Sequence, residues 1–454
     1  MEPKKCQNTV LDRCSEEVHQ STKRGISRRK FVQTSAGVVA AGALLGKRAF
    51  AAPRPLKIGY VSPETGELAP FGAADTFVVD QIRKKIQGGI MAGGATRPVE
   101  ILVRDCQSND NRAAEVAAQL IKTDNVDLML VAGSPDMVNP TADQCEVNQT
   151  PCVSTDAPWE PYLHGRGGKM DKGFDWTYHF YFGVKNVAQT IIDIFTLLPT
   201  NHVVGALWAD DVEGNANADP VRGFKPALIA RGFTCIDPGR FQTNTNDFSA
   251  LIAAYKNANC ELIQGVLTLP VFSNFWAQAA QQGFRPKICS IGKALLFPAA
   301  VESLGPRGRN LAIEVGWSPA FPFKSSLTGQ NPKQLCDQFE AATHKEWLTA
   351  LGFRHALFEV ALDVFKRAQN PESNASVIEA VRTTRLDTII GSVAWEGPLP
   401  NEWTERPFKN DCTTPMVAGQ WQAGKKFMYD LVVVDNRRYP VIPVQAKLEP
   451  LPAA

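Results

Sequence analysis

From Leu56 onward, short runs of consecutive apolar and β-branched residues alternate with longer stretches in which apolar positions recur every three or four residues. Continuous apolar runs read as strands buried on both faces, and the recurring stretches read as amphipathic helices that cover them. In the first half the predicted strands are Lys57-Ile58-Gly59-Tyr60-Val61, Val99-Glu100-Ile101-Leu102-Val103, residues 126–131 and Cys152-Val153-Ser154. Helices over 75–86 and 112–122, and another ahead of Cys152, separate them. The rhythm restarts at His202-Val203-Val204-Gly205-Ala206-Leu207-Trp208 and runs through Phe233-Thr234-Cys235-Ile236, residues 262–268 and Ile288-Cys289-Ser290-Ile291. Alternation of this kind makes a parallel sheet with helices on both faces, and its repetition predicts an α/β fold of two similar lobes.

The last third has a different pattern. Phe358, Val360, Leu362 and Phe365 predict a helix over 353–368 packed on one lobe, and a shorter helix follows near 377–382. Residues 389–395 read as a return strand and Leu431-Val432-Val433-Val434 as a last one. The intervening 396–426 is rich in Pro, Gly, Trp and Asn. Its Trp403 and Trp421 predict an ordered loop or hairpin, because tryptophans are uncommon in disordered spacers.

Ahead of the first strand stands Ser27-Arg28-Arg29-Lys30-Phe31-Val32, then a mild apolar run over 36–45 and the small-residue site Ala49-Phe50-Ala51. This leader resembles a twin-arginine export signal, read by a translocase that moves folded passengers. The apolar run is too short to anchor the chain across ~30 Å of hydrocarbon. Residues 1–51 are therefore expected to be removed, leaving a soluble periplasmic protein.

The leader carries ten Lys/Arg and four acids, so its removal turns a formal charge of +2 into −4. No basic domain remains to attract nucleic acid or anionic membrane. The roughly 400 residues that follow exceed one typical core, in keeping with two lobes. Eight cysteines remain beyond the leader and no C-x-x-C occurs, which removes a thioredoxin-like or zinc-ribbon site. Cys145 and Cys152 bracket a short helix-to-strand turn and are the one pair chosen for a disulfide; the alternative is that most cysteines are buried free thiols.

Catalytic motifs are missing. Gly165-Arg166-Gly167-Gly168-Lys169 approaches a phosphate loop, but Met170 stands where a metal-binding hydroxyl is required. His164, His179, His202, His344 and His355 are dispersed, without the i, i+4 spacing of a helical metal site. Gly88-Gly89 and Gly93-Gly94 follow a helix and precede a strand, the reverse of a dinucleotide turn. A binding protein without cofactor or metal is expected, not an enzyme.

The order Ile58-Gly59-Tyr60, Thr65-Gly66, Phe71-Gly72, Gly88-Gly89-Ile90, Arg104-Asp105 and Asp387-Thr388-Ile389-Ile390-Gly391 with Trp395 resembles the periplasmic substrate-binding proteins of ABC importers, of the leucine/isoleucine/valine type. The likeness spans 55–436. It implies a type I periplasmic binding fold whose two lobes close over a small ligand and dock on a membrane permease, the protein itself a monomer. Lobe 1 would comprise 55–182 with 319–391, and lobe 2 would comprise 183–318 with 392–447. Three crossings are implied, at Phe182-Gly183, Trp317-Ser318 and Gly391-Ser392.

Parallel sheets place ligands beyond the carboxyl ends of their strands. Phe71, Ser134, Pro135, Thr155 and Asp156 are thus the first-lobe candidates. Asp211, Thr268 and Lys293 are those of the second. Trp208 and Phe71 supply aromatic surface, and Trp159 and Trp176 line the cleft mouth or anchor the core. The resemblance adds that Phe71 sits over the ligand and that Ser134-Pro135 meets a ligand carboxylate. Relatives that bind amino acids carry a carboxylate where this chain has Lys293. A lysine there points to an organic anion without an α-amino group, aromatic or branched aliphatic, with Lys293 as counter-ion; the alternative has Lys293 at the surface paired with Asp211 or another acid. A sensor module of the same fold, a branched-chain amino acid or amide binder and an exported enzyme are the competing functions.

Replacing Arg28 and Arg29 together by Lys keeps the charge and removes the guanidinium pair. Folded precursor is then expected to accumulate in the cytoplasm, as read by cell fractionation; normal export of that variant would remove the twin-arginine assignment.

Overall fold

Leu56–Ser62 is buried at six of its seven positions and pairs in parallel on both sides, with Val99–Asp105 and Leu128–Ala132. Such a strand has no face left for polar residues, which is why its sequence is an apolar run. The computed structural model describes residues 53–452; Arg28, Arg29 and the rest of the leader lie outside the described residues. Cys152–Thr155, Thr177–Phe180 and Asp411–Cys412 extend the first sheet beyond Leu128–Ala132, all in parallel.

The second sheet runs Arg240–Phe241, Val203–Ala209, Leu262–Leu267, Ile288–Lys293 and Ala312–Val315 in parallel, then Val417–Ala423 and Tyr429–Asp435 antiparallel. Thr234–Ile236 also pairs with Val203–Ala209. The expected pair of α/β lobes is therefore present. In each, the opening strand lies inside the sheet, one place from an edge, so strand order reverses beside Leu56–Ser62 and beside Val203–Ala209. Crevices at such reversals, beyond the carboxyl ends, are where open α/β sheets bind ligands.

The chain passes between lobes three times. The first passage is at Phe182-Gly183, where Glu160 of the first lobe accepts hydrogen bonds from the Val184 and Lys185 N–H groups (2.6 and 3.0 Å) and caps the second-lobe helix Val184–Phe195. A carboxylate there satisfies two orphan donors and the positive end of the helix dipole. The second follows Ala312–Val315 at Trp317-Ser318.

The third differs from the sequence expectation. Gly391-Ser392 is no crossing: Arg385–Thr388 and Gly391–Ala394 form a tight antiparallel hairpin, with Gly391 at φ +112°, a conformation that side chains oppose. The chain stays with the first sheet until Asp411–Cys412 pairs with Thr177–Phe180, and it crosses only at the buried 413–416. The expected ordered segment 396–426 thus contains a first-sheet strand, the crossing itself and one arm of the hairpin Val417–Ala423/Tyr429–Asp435.

The disulfide expected between Cys145 and Cys152 is not formed; both thiols are free and buried. They lie side by side, and burial with the neighbouring Cys152 pushes the Cys145 thiol well up. The helix predicted over 353–368 runs Thr349–Arg367 and is buried nearly all round, with Arg354, His355 and Glu359 inside. Trp317 lies across it, its indole N–H donating to the Ile389 carbonyl (3.0 Å). A Cβ on Gly352 would meet that indole at 2.3–2.5 Å.

Gly352→Ala is accordingly expected to destabilise by about 1–3 kcal/mol through overpacking. A lower denaturant midpoint at unchanged m-value would show it; an unchanged midpoint would mean that the crossing tolerates a displaced indole.

Candidate functional site

The first-lobe wall is built from loops that leave the carboxyl ends of its strands. Phe71 sits in the single turn Ala69–Gly72 after the first strand, and its ring meets Phe297 of the second lobe edge-on at 4.8 Å. Ser134 precedes the helix Pro135–Val147, and its hydroxyl donates to Asp136 Oδ2 (2.9 Å). Asp156 follows Cys152–Thr155 at φ +74° and is ion-paired to Arg354, while its Oδ1 is buried without a partner. Tyr181 and Phe182, stacked at 3.8 Å, close this wall.

Lys293 dominates the second-lobe wall. It ends Ile288–Lys293 at φ +62°, ψ −65°, a γ-turn conformation that is strained for a side-chain-bearing residue. Strain of about 1–3 kcal/mol persists only where the surroundings impose it. Here they do. The Lys293 side chain is 3 % exposed, and its ammonium lies 2.8 Å from Asp211, 3.3 Å from Glu213 and, across the cleft, 3.8 Å from Asp136. Asp211 is held in turn, since it accepts from the Gly214 N–H at 2.6 Å. Gln264 of Leu262–Leu267 and Glu314 of Ala312–Val315 complete the wall, each with a buried oxygen, Oε1 and Oε2 respectively, that finds no partner.

The two walls enclose about 30 Å³, room for roughly two water molecules. A roomier hollow of about 230 Å³ beside Trp276, Phe284, Pro306 and Leu451 is built from the second lobe alone.

Phe71, Ser134, Asp156 and Lys293 converge on the cleft cavity. Pro135 stands directly behind Ser134, and Asp211 behind Lys293. The other expected residues stand apart from this cavity. Thr155 turns its hydroxyl into the sheet and donates to the Phe180 carbonyl at 2.7 Å. Trp208 is fully buried in the second-lobe core against Phe224 (5.7 Å), its N–H unpaired. Thr268 sits ahead of the helix Leu269–Gln281, outside the cavity lining. Trp159 packs against Phe408, and Trp176 donates its backbone N–H to Glu146; neither lines the cavity.

Lys293 is surrounded by three carboxylates: it pairs with Asp211, as the alternative expects, but it does so buried and not at the surface. The residues that strand-end reasoning missed are Tyr181, Glu213, Gln264, Glu314 and Arg354. Glu314 and Gln264 did carry a signal: each is a lone polar residue inside an otherwise apolar strand run, where burial without a purpose is costly.

Burial pushes Glu213 up to about 7, with Lys293 pulling it back and Asp211 and Asp136 adding to the rise. Glu314 is pushed up to about 8 by burial, and Glu213 contributes. Burial draws the Lys293 ammonium down, but Glu213, Asp211 and Asp136 together hold it above its ordinary value. The Tyr181 phenol is raised by burial and by Glu314 and Glu213. The cavity is thus poor in free cations and rich in acceptors.

Two open α/β lobes with a shared cleft at their strand ends define a solute-binding fold. The family model of the periplasmic binding proteins matches residues 55–425, and the chain belongs to that family, whose general role is solute binding. Its architecture is similar to a leucine binding protein of Thermotoga maritima (19 % identity, TM-score 0.65, covering 83 % of this chain and 97 % of that one). It is also similar to a branched-chain amino acid transporter substrate binding protein of Streptococcus pneumoniae in complex with isoleucine (16 %, 0.64, 84 % and 100 %). A third is an ABC transporter solute binding protein of R. palustris in complex with 4-hydroxybenzoate (14 %, 0.66, 84 % and 96 %). Among the described residues no helix is long and apolar enough to cross a membrane.

Glu314 has a folded pKa above its ordinary 4.5, so the folded state binds the extra proton between that value and about 8. Its contribution is fully present below 4.5 and is lost as pH rises through about 8. Glu314→Gln, which stays neutral, is expected to gain stability relative to the wild type as pH rises across this window, measured by urea denaturation. A difference independent of pH would show that Glu314 titrates normally.

Proposed function

We propose that the chain is an exported, periplasmic solute-binding protein that closes its two lobes over a small organic ligand and delivers it to the membrane permease of an ABC importer. The carrying observation is the cavity between the carboxyl ends of both sheets, spanned by Phe71 against Phe297 and by Lys293 toward Asp136. A ligand that touches both walls stabilises only the closed arrangement, and the closed form gives the permease a surface to recognise. Phe71, Ser134, Asp156 and Lys293 are the proposed contacts or near-contacts. Phe182-Gly183, Trp317-Ser318 and 413–416 act as the hinge. Membership of a solute-binding family supports the reading.

Small-angle scattering of the mature chain, with a ligand found by thermal-shift screening, is expected to give a smaller radius of gyration in the bound state. An unchanged radius would rule out lobe closure as the response to ligand.

A further inference from the structure

Three unpartnered oxygens point the search to the cleft. Asp156 Oδ1, Gln264 Oε1 and Glu314 Oε2 are all buried, come from both lobes and line one cavity, and none accepts a hydrogen bond. Their residues are 7, 2 and 6 % exposed. The Gln264 amide has a defined direction, because its Nε2 donates to the Gly265 carbonyl (3.3 Å) and leaves the oxygen over. Buried acceptors without donors call for a partner that brings N–H or O–H groups, and three of them around one cavity can be served together by a ligand rich in donors or by water.

Charge points the same way. Lys293 and Arg354 are the cations at this site, paired with Asp75, Asp136, Asp156, Asp211 and Glu213, and Glu314 lines the same cavity. Both cations are already engaged. The places where an acid would dock are occupied as well: the Ser134 hydroxyl serves Asp136, Pro135 has no N–H to offer, and Lys293 is tied to Asp211. An incoming carboxylate would meet acceptors and like charge.

We infer that the cleft is built for a small organic cation of about guanidinium size, held by carboxylate and amide oxygens, and not for an acid or an amino acid. This rests on the solute-binding reading of the same cavity. Guanidinium offers N–H donors on every edge and no acceptor, which suits a lining of unpaired oxygens. Its flat face suits Phe71, Tyr181 and Phe182, since a cation is attracted to an aromatic face. The enclosed volume of about 30 Å³ limits the ligand to a very small group, and guanidinium, with four heavy atoms, needs the walls to part slightly to enter. Glu314 faces Glu213 and Tyr181, and Glu213 faces Lys293, Asp211 and Asp136. Ionisation of the two glutamates therefore favours the cation and opposes an anion.

Calorimetry on the wild-type mature chain decides the matter, with guanidinium and urea as near-isosteric charged and neutral probes at low millimolar concentration, and with leucine and 4-hydroxybenzoate as zwitterion and anion. Guanidinium is expected to bind about tenfold or more tightly at about pH 8.5 than at about pH 6. At the higher pH, urea is expected to be at least about tenfold weaker than guanidinium. Glu314→Gln should weaken guanidinium and flatten its pH dependence, while the wild-type comparison stands whether or not that variant folds. Urea equal to guanidinium, tighter binding of leucine or 4-hydroxybenzoate, or no guanidinium binding at all would overturn the inference. Leucine or 4-hydroxybenzoate binding with a reduced radius of gyration would overturn the charge assignment alone and leave solute binding by closure standing. Guanidinium binding without compaction would do the opposite.

Discussion

Arg354 is the point on which the cleft depends. It projects from the buried helix Thr349–Arg367, is fully enclosed, and ties together three separate segments: Asp75 at 3.1 Å, the Phe71 carbonyl at 2.8 Å and the Asp156 carboxylate. Asp75 is further satisfied by the Tyr60 and Ser62 hydroxyls at 2.8 and 2.6 Å. A buried guanidinium is tolerable only when its donors are taken up, and its planar fork suits several fixed acceptors at once. Removing one partner of such a pair typically costs about 3–5 kcal/mol, because the other is left buried and unpaired. The position of Phe71 and the left-handed turn at Asp156 both follow from this contact.

Lys293 plays the matching part on the facing lobe, but with the balance reversed. Arg354 serves acceptors from its own lobe and sits beneath the wall. Lys293 sits in the wall, and one of its carboxylates, Asp136, reaches it from across the cleft. That contact depends on how far the lobes are closed, whereas those with Asp211 and Glu213 do not. Opening the cleft would expose Lys293 to water and weaken the desolvation that holds Glu213 and Glu314 in their raised range. In the proposed closure, lobe position and cleft charge would be coupled through these residues.

The same coupling explains why the site is tight. Aromatic rings from both lobes meet at Phe71 and Phe297, and Tyr181 with Phe182 fills the side nearest the hinge. Apolar contact of this kind would favour the proposed closure without directional demands. The polar groups around it would impose the demands on the proposed ligand, since a buried unpaired oxygen is costly without a donor.

The sequence by itself determined the two α/β lobes, because continuous apolar strands spaced by amphipathic helices leave few other ways to bury them. It also marked Phe71, Ser134, Asp156 and Lys293, since strand-end loops in a parallel sheet converge on a cleft whatever their residues are. Only the tertiary structure decided the third crossing, where a hairpin at Gly391 keeps the chain with the first sheet until 413–416, because a two-residue strand such as Asp411–Cys412 has no signature apart from its partner. It also decided that Trp208 is core and that Lys293 is matched. A local pattern gives the charge of a side chain, but its partner is fixed by loops distant in sequence, such as Asp211 82 residues earlier, and their approach is set by the packing of whole lobes.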